Sequence, residues 1–499
     1  MKNKYKNIVS PVFDFGRNAP ESVALIHDDN VLTYSALSTA LLKVARVLQE
    51  QGISPGDRVA LISANRVDVL VNYLAVAFIG ATFVPVNADY SASEIRYIID
   101  HCEPKLVICM EELLDKYHAG IAGIATAPAL LSLEQCAAQA AEAEPLAESA
   151  MWQKPEDLVL ICYTSGTTAA PKGVQVSHIN EMESATAYGN MWAMSAADKV
   201  LVALPLTFSY GLHAASYVAL SHGAATIILP RFKPELVMNA MQQYRPTTFP
   251  GVPTMYAILA EYAKEQGAIP DLSFLRVAMC SGAALTEQVK DDCKTYLGIE
   301  VSPYYAMTEI RPIFSFDLRR ERAPSKGSSG YLIEPTEVRL VDDAGNDVAP
   351  GERGELLVKG PSFYGEYFKD PQRTAEALEN GWFKTGDIVT VDEHGCYFIV
   401  GRKREQIISG GAKIAPIEVE EILMKHSGVA SAAVIGKADP KYGEIVKAVV
   451  VKRDQKVTAE ELISFCAAHL AAYKIPKIVD FIAEMPIASS GKVLKSALS

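Results

Sequence analysis

Residues 163–173 read YTSGTTAAPKG: Thr164, Ser165, Gly166, Thr167 and Thr168 in a row, then Lys172. Glycine lets a backbone come close to a ligand, hydroxyl and N–H groups donate hydrogen bonds, and a lysine adds a point charge. That chemistry wraps an anion, and the density of donors points to a polyphosphate. The stretch is not the P-loop of GTPases and many ATPases, which needs G-x-x-x-x-G-K-[ST]. Here Lys172 follows Pro171 and precedes Gly173 and Val174, and Gly491-Lys492 is followed by Val493. Taken alone, the stretch reads as well as a polar surface turn.

The elements around it must hold such a loop in place. LVLICY, just upstream, is an apolar run of strand length, and VQVSHINEMESATAYGN downstream leads toward a helix. RVALIS, KLVICM, KVLVAL and ATIILP are further buried-strand patterns. Leu37, Leu41, Leu42, Ala45 and Leu48 recur at helical spacing, with Gly52 as the stop. The alternation predicts α/β layering with largely parallel sheets. YLAVAFIGATFVPV is too short to cross a bilayer and reads as a buried helix running into a strand. Residues 119–150, rich in alanine and glutamate, are expected to be a surface helix or linker. After about Ser328, short strands joined by Asp-Gly-type turns predict an antiparallel β subdomain. KREQIISGGAKIAP suits a linker, and the remainder a small α+β domain.

Composition narrows the classes. A chain of 499 residues exceeds one hydrophobic core, so two or more domains are expected. Apolar residues are 49% and charged residues 21%, a globular balance, and the net charge of −12 argues against broad nucleic-acid binding. The eight cysteines form no C-x-x-C pair, so a reducing, cytoplasmic setting fits better than a disulfide framework or zinc site. The N-terminus shows no apolar signal region, and no integral membrane association is expected.

Five further segments stand out: SGAAL (281–285), YYAMTE (304–309), WFKTGD (382–387), GRKRE (401–405) and SSGKVLK (489–495). In this order, with the hydroxyl-rich loop, they resemble the adenylate-forming, AMP-binding superfamily, over about residues 32–495. The resemblance implies a large N-terminal domain (1–401), a hinge (402–409) and a small mobile C-terminal domain (410–499). It implies that a carboxylate attacks the α-phosphate of ATP·Mg2+ and that a thiol, of CoA or of a carrier-protein phosphopantetheine, then displaces AMP. By resemblance, residues 164–168 and Lys172 hold the β- and γ-phosphates, Thr308 donates to the α-phosphate, and Glu309 holds Mg2+. One carboxylate is enough for a cation that keeps its waters and phosphate ligands. Gly282, Ala283 and Ala284 would line the adenine, Tyr305 would stack on it, and Asp387 would take the ribose hydroxyls with help from Arg402. Lys492 would bridge carboxylate and α-phosphate, where charge spreads during transfer. Glu405 falls at the hinge, and Gly410 and Gly411 fall either beside a pantetheine tunnel or simply in a turn.

The acid is less legible. PLTFSYG (205–211) matches the motif bordering the carboxylate pocket. Amino-acid-activating relatives have an aspartate where this chain has Ser209, and a buried ammonium without a counter-charge is costly. An α-amino acid is therefore disfavoured. Phe208 replaces a common histidine and can gate but not hydrogen-bond. Tyr304 and Ala306 replace glycines, and the tyrosine is expected to fill part of an acyl tunnel, favouring a short, cyclic or aryl acid. Arg311 either binds a second polar group of the substrate or pairs with a structural carboxylate. Phe249, Val252, Pro253 and Met255 are pocket or core, and His213 is expected to be a core or surface histidine rather than a base. CoA is the expected acceptor of a stand-alone ligase, a separate carrier protein the alternative. A nucleotide-binding sensor without activity is a third reading, against which all six motifs keep their reactive side chains.

Overall fold

The computed structural model of the protein describes residues 5, 7–124, 126–164, 171–409, 412–487 and 493–498. Its described strands form three sheets. The first runs Ala129–Ser132, Leu106–Cys109, Arg58–Ser63, Thr82–Asn87, Leu158–Thr164, Lys172–Ser177. Its first five strands are parallel, and the last turns back antiparallel, with Thr164 opposite Lys172. The strand bearing Lys172 thus lies in a hairpin before it reaches the helix His178–Met191. Ser177 caps that helix in a reciprocal box with Asn180.

The second sheet is larger. Its parallel run is Val301–Tyr305, Val277–Cys280, Thr248–Gly251, Lys199–Val202, Ala225–Ile228 and Val23–His27. Four neighbouring strands of this run end just before residues 306, 281, 252 and 203. The motif segments therefore leave the carboxyl ends of adjacent parallel strands, where open α/β sheets bind ligands. The antiparallel strands anticipated after Ser328 do form, as Glu337–Val341, Gly354–Lys359, Trp382–Val391 and Cys396–Arg402. They are not a separate sheet, because Phe314–Ser315 turns back on Val301–Tyr305 and carries the hydrogen bonding across.

The helix Val67–Phe78 is buried along its length in a core that also takes Leu61 and Phe83 from the first sheet and Val200 and Val202 from the second. This is the helix-into-strand pattern expected at residues 73–86, with Thr82–Asn87 as the strand. Residues 119–150 depart from expectation. They hold the edge strand Ala129–Ser132 and a separate helix Leu133–Glu142. Ser132 accepts from the Gln135 N–H while Gln135 reaches back, so the chain restarts a helix there instead of continuing one.

The C-terminal sheet contains Ile407–Ser409, Ala412–Ile414, Val429–Asp439, Gly443–Lys452 and Ile478–Ile482. Helices Pro416–Met424 and Ala459–His469 cover it through Val419, Leu423, Leu462 and Cys466. The change of sheet falls between Arg402 and Ile407, at the single turn Lys403–Glu405. Among the described residues, no helix is long and apolar enough to cross a membrane.

Candidate active site

A cavity of about 930 Å3 opens at the carboxyl ends of the parallel strands, large enough for a nucleotide and a small acid. Thr164 and Lys172 line it from the hairpin, Gly282 from the turn after Val277–Cys280, and Thr308, Glu309 and Arg311 from the turn after Val301–Tyr305. Arg402 enters from the antiparallel flank. Ala283, Ala284, Tyr305 and Asp387 do not line it. Ser165, Gly166, Thr167, Thr168, Gly410, Gly411 and Lys492 lie outside the described residues.

Where Lys172 and Glu309 line the cavity, Tyr367 stands between a cation and a carboxylate. Its hydroxyl donates to Glu309 Oε1 at 2.8 Å, and Lys172 Nζ lies 3.5 Å from the Tyr367 hydroxyl oxygen and 4.6 Å from the ring centroid. Burial, then the charge of Glu309, raises the Tyr367 phenol, so it stays a donor. Nothing in the sequence marked Tyr367, which lies 195 residues from Lys172. One Glu309 oxygen accepts the tyrosine's hydrogen bond. The carboxylate faces a cavity with hydroxyl and lysine donors, which fits a Mg2+ that brings its own water and phosphate ligands.

Adjacent residues of one strand point to opposite faces, and Tyr304 and Tyr305 use that alternation. Tyr305 stacks on Phe314 at 5.7 Å, and its hydroxyl donates to Asp387 Oδ2. Arg402 Nε holds the other Asp387 oxygen at 3.0 Å, from the position directly across the strand pair. Asp387 is buried, so these partners balance a charge that would be expensive alone. Tyr304, on the other face, packs edge-on to Tyr188, Trp192 and Tyr210 at 5.5–5.8 Å. Aromatic rings thus close the end of the cavity that Phe208, Ser209 and Gly211 border. Phe208 meets Tyr90 edge-on at 6.3 Å. Val252 lines the cavity, whereas Phe249 and Met255 belong to the core.

The segment carrying Ser209 is held by Asn65, which sequence reasoning missed. Its amide donates to Leu204 O and Leu229 O at 2.8 and 3.0 Å and accepts from Leu206 N at 2.7 Å. From there the chain enters a π-helical turn, Tyr210–Tyr217, a conformation often found at functional sites.

Arg311 lines the cavity yet is committed elsewhere. Its guanidinium donates to Glu181 Oε2 and, through Nη1, to Thr308 O at 2.9 Å. This is the structural-carboxylate pairing, not a free anchor for substrate. Burial raises the Glu181 carboxyl. The neighbouring His213 and Arg311, with hydrogen bonding from His213 and Tyr73, outweigh it and hold the group at about 2. Burial lowers His213 to about 4 against the pull of Glu181, so at neutral pH the charge pair is Glu181 with Arg311. His213 is a fully buried core residue.

Glu405 lies 3.5 Å from Lys495, which also pairs with Glu420 at 2.7 Å. Ile487 bridges Val493, and Lys495 sits beside the turn that joins the two domains.

A family model described as AMP-binding enzyme matches residues 12–368, and one for the AMP-binding enzyme C-terminal domain matches residues 418–492. Feruloyl-CoA synthase of an Amycolatopsis species is 36% identical over 482 residues, 96% of each chain. The 2-succinylbenzoate–CoA ligase of Bacillus licheniformis is 31% identical, covering 96% of this chain and 97% of its own. Among solved structures, ATP-bound MatB of Rhodopseudomonas palustris is similar at 30% identity with a TM-score of 0.91, over 99% of this chain and 98% of that one. With well over half its length matched by the first model alone, the chain belongs to the AMP-binding, adenylate-forming enzymes and is an AMP-forming acid–CoA ligase.

Proposed function

We propose that the protein activates an aryl or small cyclic carboxylic acid and passes it to CoA. The acid's oxygen attacks the α-phosphorus of ATP, the bond to the β-phosphate breaks, and pyrophosphate leaves. The CoA sulfur then attacks the acyl carbon, the bond to the adenylate oxygen breaks, and AMP leaves with the thiol proton passing to solvent. In this reading residues 164–168 and Lys172 grip the leaving pyrophosphate, and Thr308 donates to the α-phosphate. Asp387 and Arg402 fix the ribose, and Lys492 bridges the two reacting groups. Glu309 would hold Mg2+, which when bound neutralises charge on the phosphoryl oxygens. The relatives named above act with CoA, which favours it over a carrier protein as acceptor.

The observation that carries the acid class is the buried Tyr304. With Tyr188 and Tyr210 it lines that end of the cavity, and Trp192 packs edge-on behind it, a surface that complements a flat ring and blocks an extended alkyl chain. A feruloyl-CoA synthase as a relative at 36% identity points the same way. Acid-dependent pyrophosphate release across benzoate-, cinnamate-, cycloalkyl-, palmitate- and α-amino-type acids tests it. An aryl or cyclic acid is expected to lead palmitate and the amino acids by about 100-fold in kcat/KM. Preference for palmitate or an α-amino acid would refute it.

A further inference from the structure

We propose that Arg311 and Glu181 are a buried positioning pair that holds the Thr308–Glu309 peptide in the geometry adenylation needs. This rests on the reading above, in which Thr308 and Glu309 serve the phosphates. Arg311 sits two residues past Glu309 and is 4% exposed. One arm of its guanidinium goes to Glu181 and the other to the Thr308 carbonyl at 2.9 Å. Its own N–H donates to Ser362 Oγ at 3.3 Å. Glu181 is wholly buried in the first turn of His178–Met191, the helix end that favours negative charge. Tyr73 donates to its Oε1 at 2.7 Å, and His213 Nδ1 lies 2.6 Å from its Oε2. The carboxylate is therefore a post fixed from three segments, and Arg311 ties the turn to it.

The Thr308 carbonyl belongs to the peptide that leads into Glu309. Fixing its oxygen fixes the plane of that peptide, and with it the directions in which the Thr308 and Glu309 side chains leave. The far end of Glu309 is held separately by Tyr367. Met307 N to Ile310 O, 3.1 Å, closes the backbone turn, but that bond does not touch the Thr308 carbonyl. A buried ion pair adds little net stability over well-packed apolar residues, because desolvation offsets its attraction. Orientation is what this one supplies, and a planar two-armed donor can do it where a lysine cannot.

The test separates orientation from stability. In Glu181→Leu/Arg311→Met the pair is replaced by apolar side chains. The change also leaves the buried Tyr73 hydroxyl without its carboxylate acceptor, so a melting temperature below the parent's is expected, and rates are compared on the folded variant. Pyrophosphate release should fall about 100-fold, the scale of a 1 Å misplacement, while thioester formation from supplied acyl-adenylate falls far less. Pyrophosphate release within threefold of the parent in a folded double variant overturns the proposal, as does an equal loss of both steps. If the double variant does not fold, Arg311→Lys decides. It keeps the charge beside Glu181 but not the second arm, and about a tenfold loss confined to the adenylation step is expected. Unchanged kinetics there overturns the proposal. Thr308→Ala and Glu309→Gln are measured alongside. If both leave pyrophosphate release intact, the site reading itself fails. If both impair it and the pair variants do not, only the positioning role fails.

Discussion

The Tyr305 hydroxyl donates to Asp387, and Arg402 holds the other oxygen of that carboxylate at 3.0 Å. Phe314 covers one face of the ring and is itself stacked on Tyr397 at 4.2 Å, so the side chain has little freedom to move. The Tyr305→Phe change keeps the ring and removes one of the carboxylate's partners. A hydrogen bond to a charged group contributes about 1.5–3 kcal/mol, but Arg402 still steadies Asp387, so the KM for ATP should rise only several-fold. Tyr305→Ala also removes the ring packed on Phe314 and leaves a void beside Asp387 that frees Arg402 at the cavity wall. The expected order of KM for ATP is parent, Phe, Ala, with kcat little changed, since both losses weaken ground and transition state alike. Steady-state kinetics with ATP varied at saturating acid checks it; a Phe variant as impaired as the Ala variant would show that the ring has no part in nucleotide binding. The motifs that gave the family away were legible because their residue types and order stand in the sequence itself. Tyr367 and Glu181 were not, because each acts through a partner more than a hundred residues away that only folding brings near.

At the scale of elements, apolar runs such as RVALIS announced their strands, since the middle of a strand buried on both faces, here Val59 to Ile62, is unbroken by polar residues. The π-helical turn Tyr210–Tyr217 had no such signature, because its period matches neither template. Gly211, its second residue, shows what the turn requires. A Cβ there would meet the Pro205 carbonyl oxygen at 2.2 Å and its carbon at 2.8 Å, both backbone atoms that Asn65 helps to hold in place. Gly211→Ala must therefore push the turn toward the aromatic wall. Overpacking of this kind costs about 1–3 kcal/mol. We expect a lower melting temperature by a few degrees and a KM for the acid raised about tenfold or more, with the KM for ATP nearly unchanged. Calorimetry and kinetics with acid and ATP varied separately check this. An equal rise in both KM values would place the turn at the nucleotide end instead.

Over the whole molecule, the long intervals between motifs make sense only once the sheet is built, because adjacent parallel strands deliver residues 203–211, 281–282 and 306–311 to one edge. The same architecture buries His178 and His213 in the layer between the sheets, both fully enclosed. Burial lowers each to about 4 from an ordinary 6.5, with neighbouring carboxylates pulling the other way. A folded pKa below the unfolded one means that the unfolded chain binds more protons between the two values. The stability from each neutral histidine is complete above about pH 6.5 and is lost as the pH falls toward 4. At pH 5 the loss is about 2 kcal/mol per histidine. Glu181, held at about 2, stays ionised across that window and does not add to the slope. The three tryptophans, Trp152, Trp192 and Trp382, all lie in the large domain, so their fluorescence follows its unfolding without the C-terminal domain. Burial also lowers His101 and His222, which add to the same slope. The urea midpoint should drop between pH 7 and pH 5, and His178→Gln should recover a distinct part of that drop, whatever it does to the midpoint at pH 7. A variant with the parent's full pH slope would mean that His178 is not the group being charged.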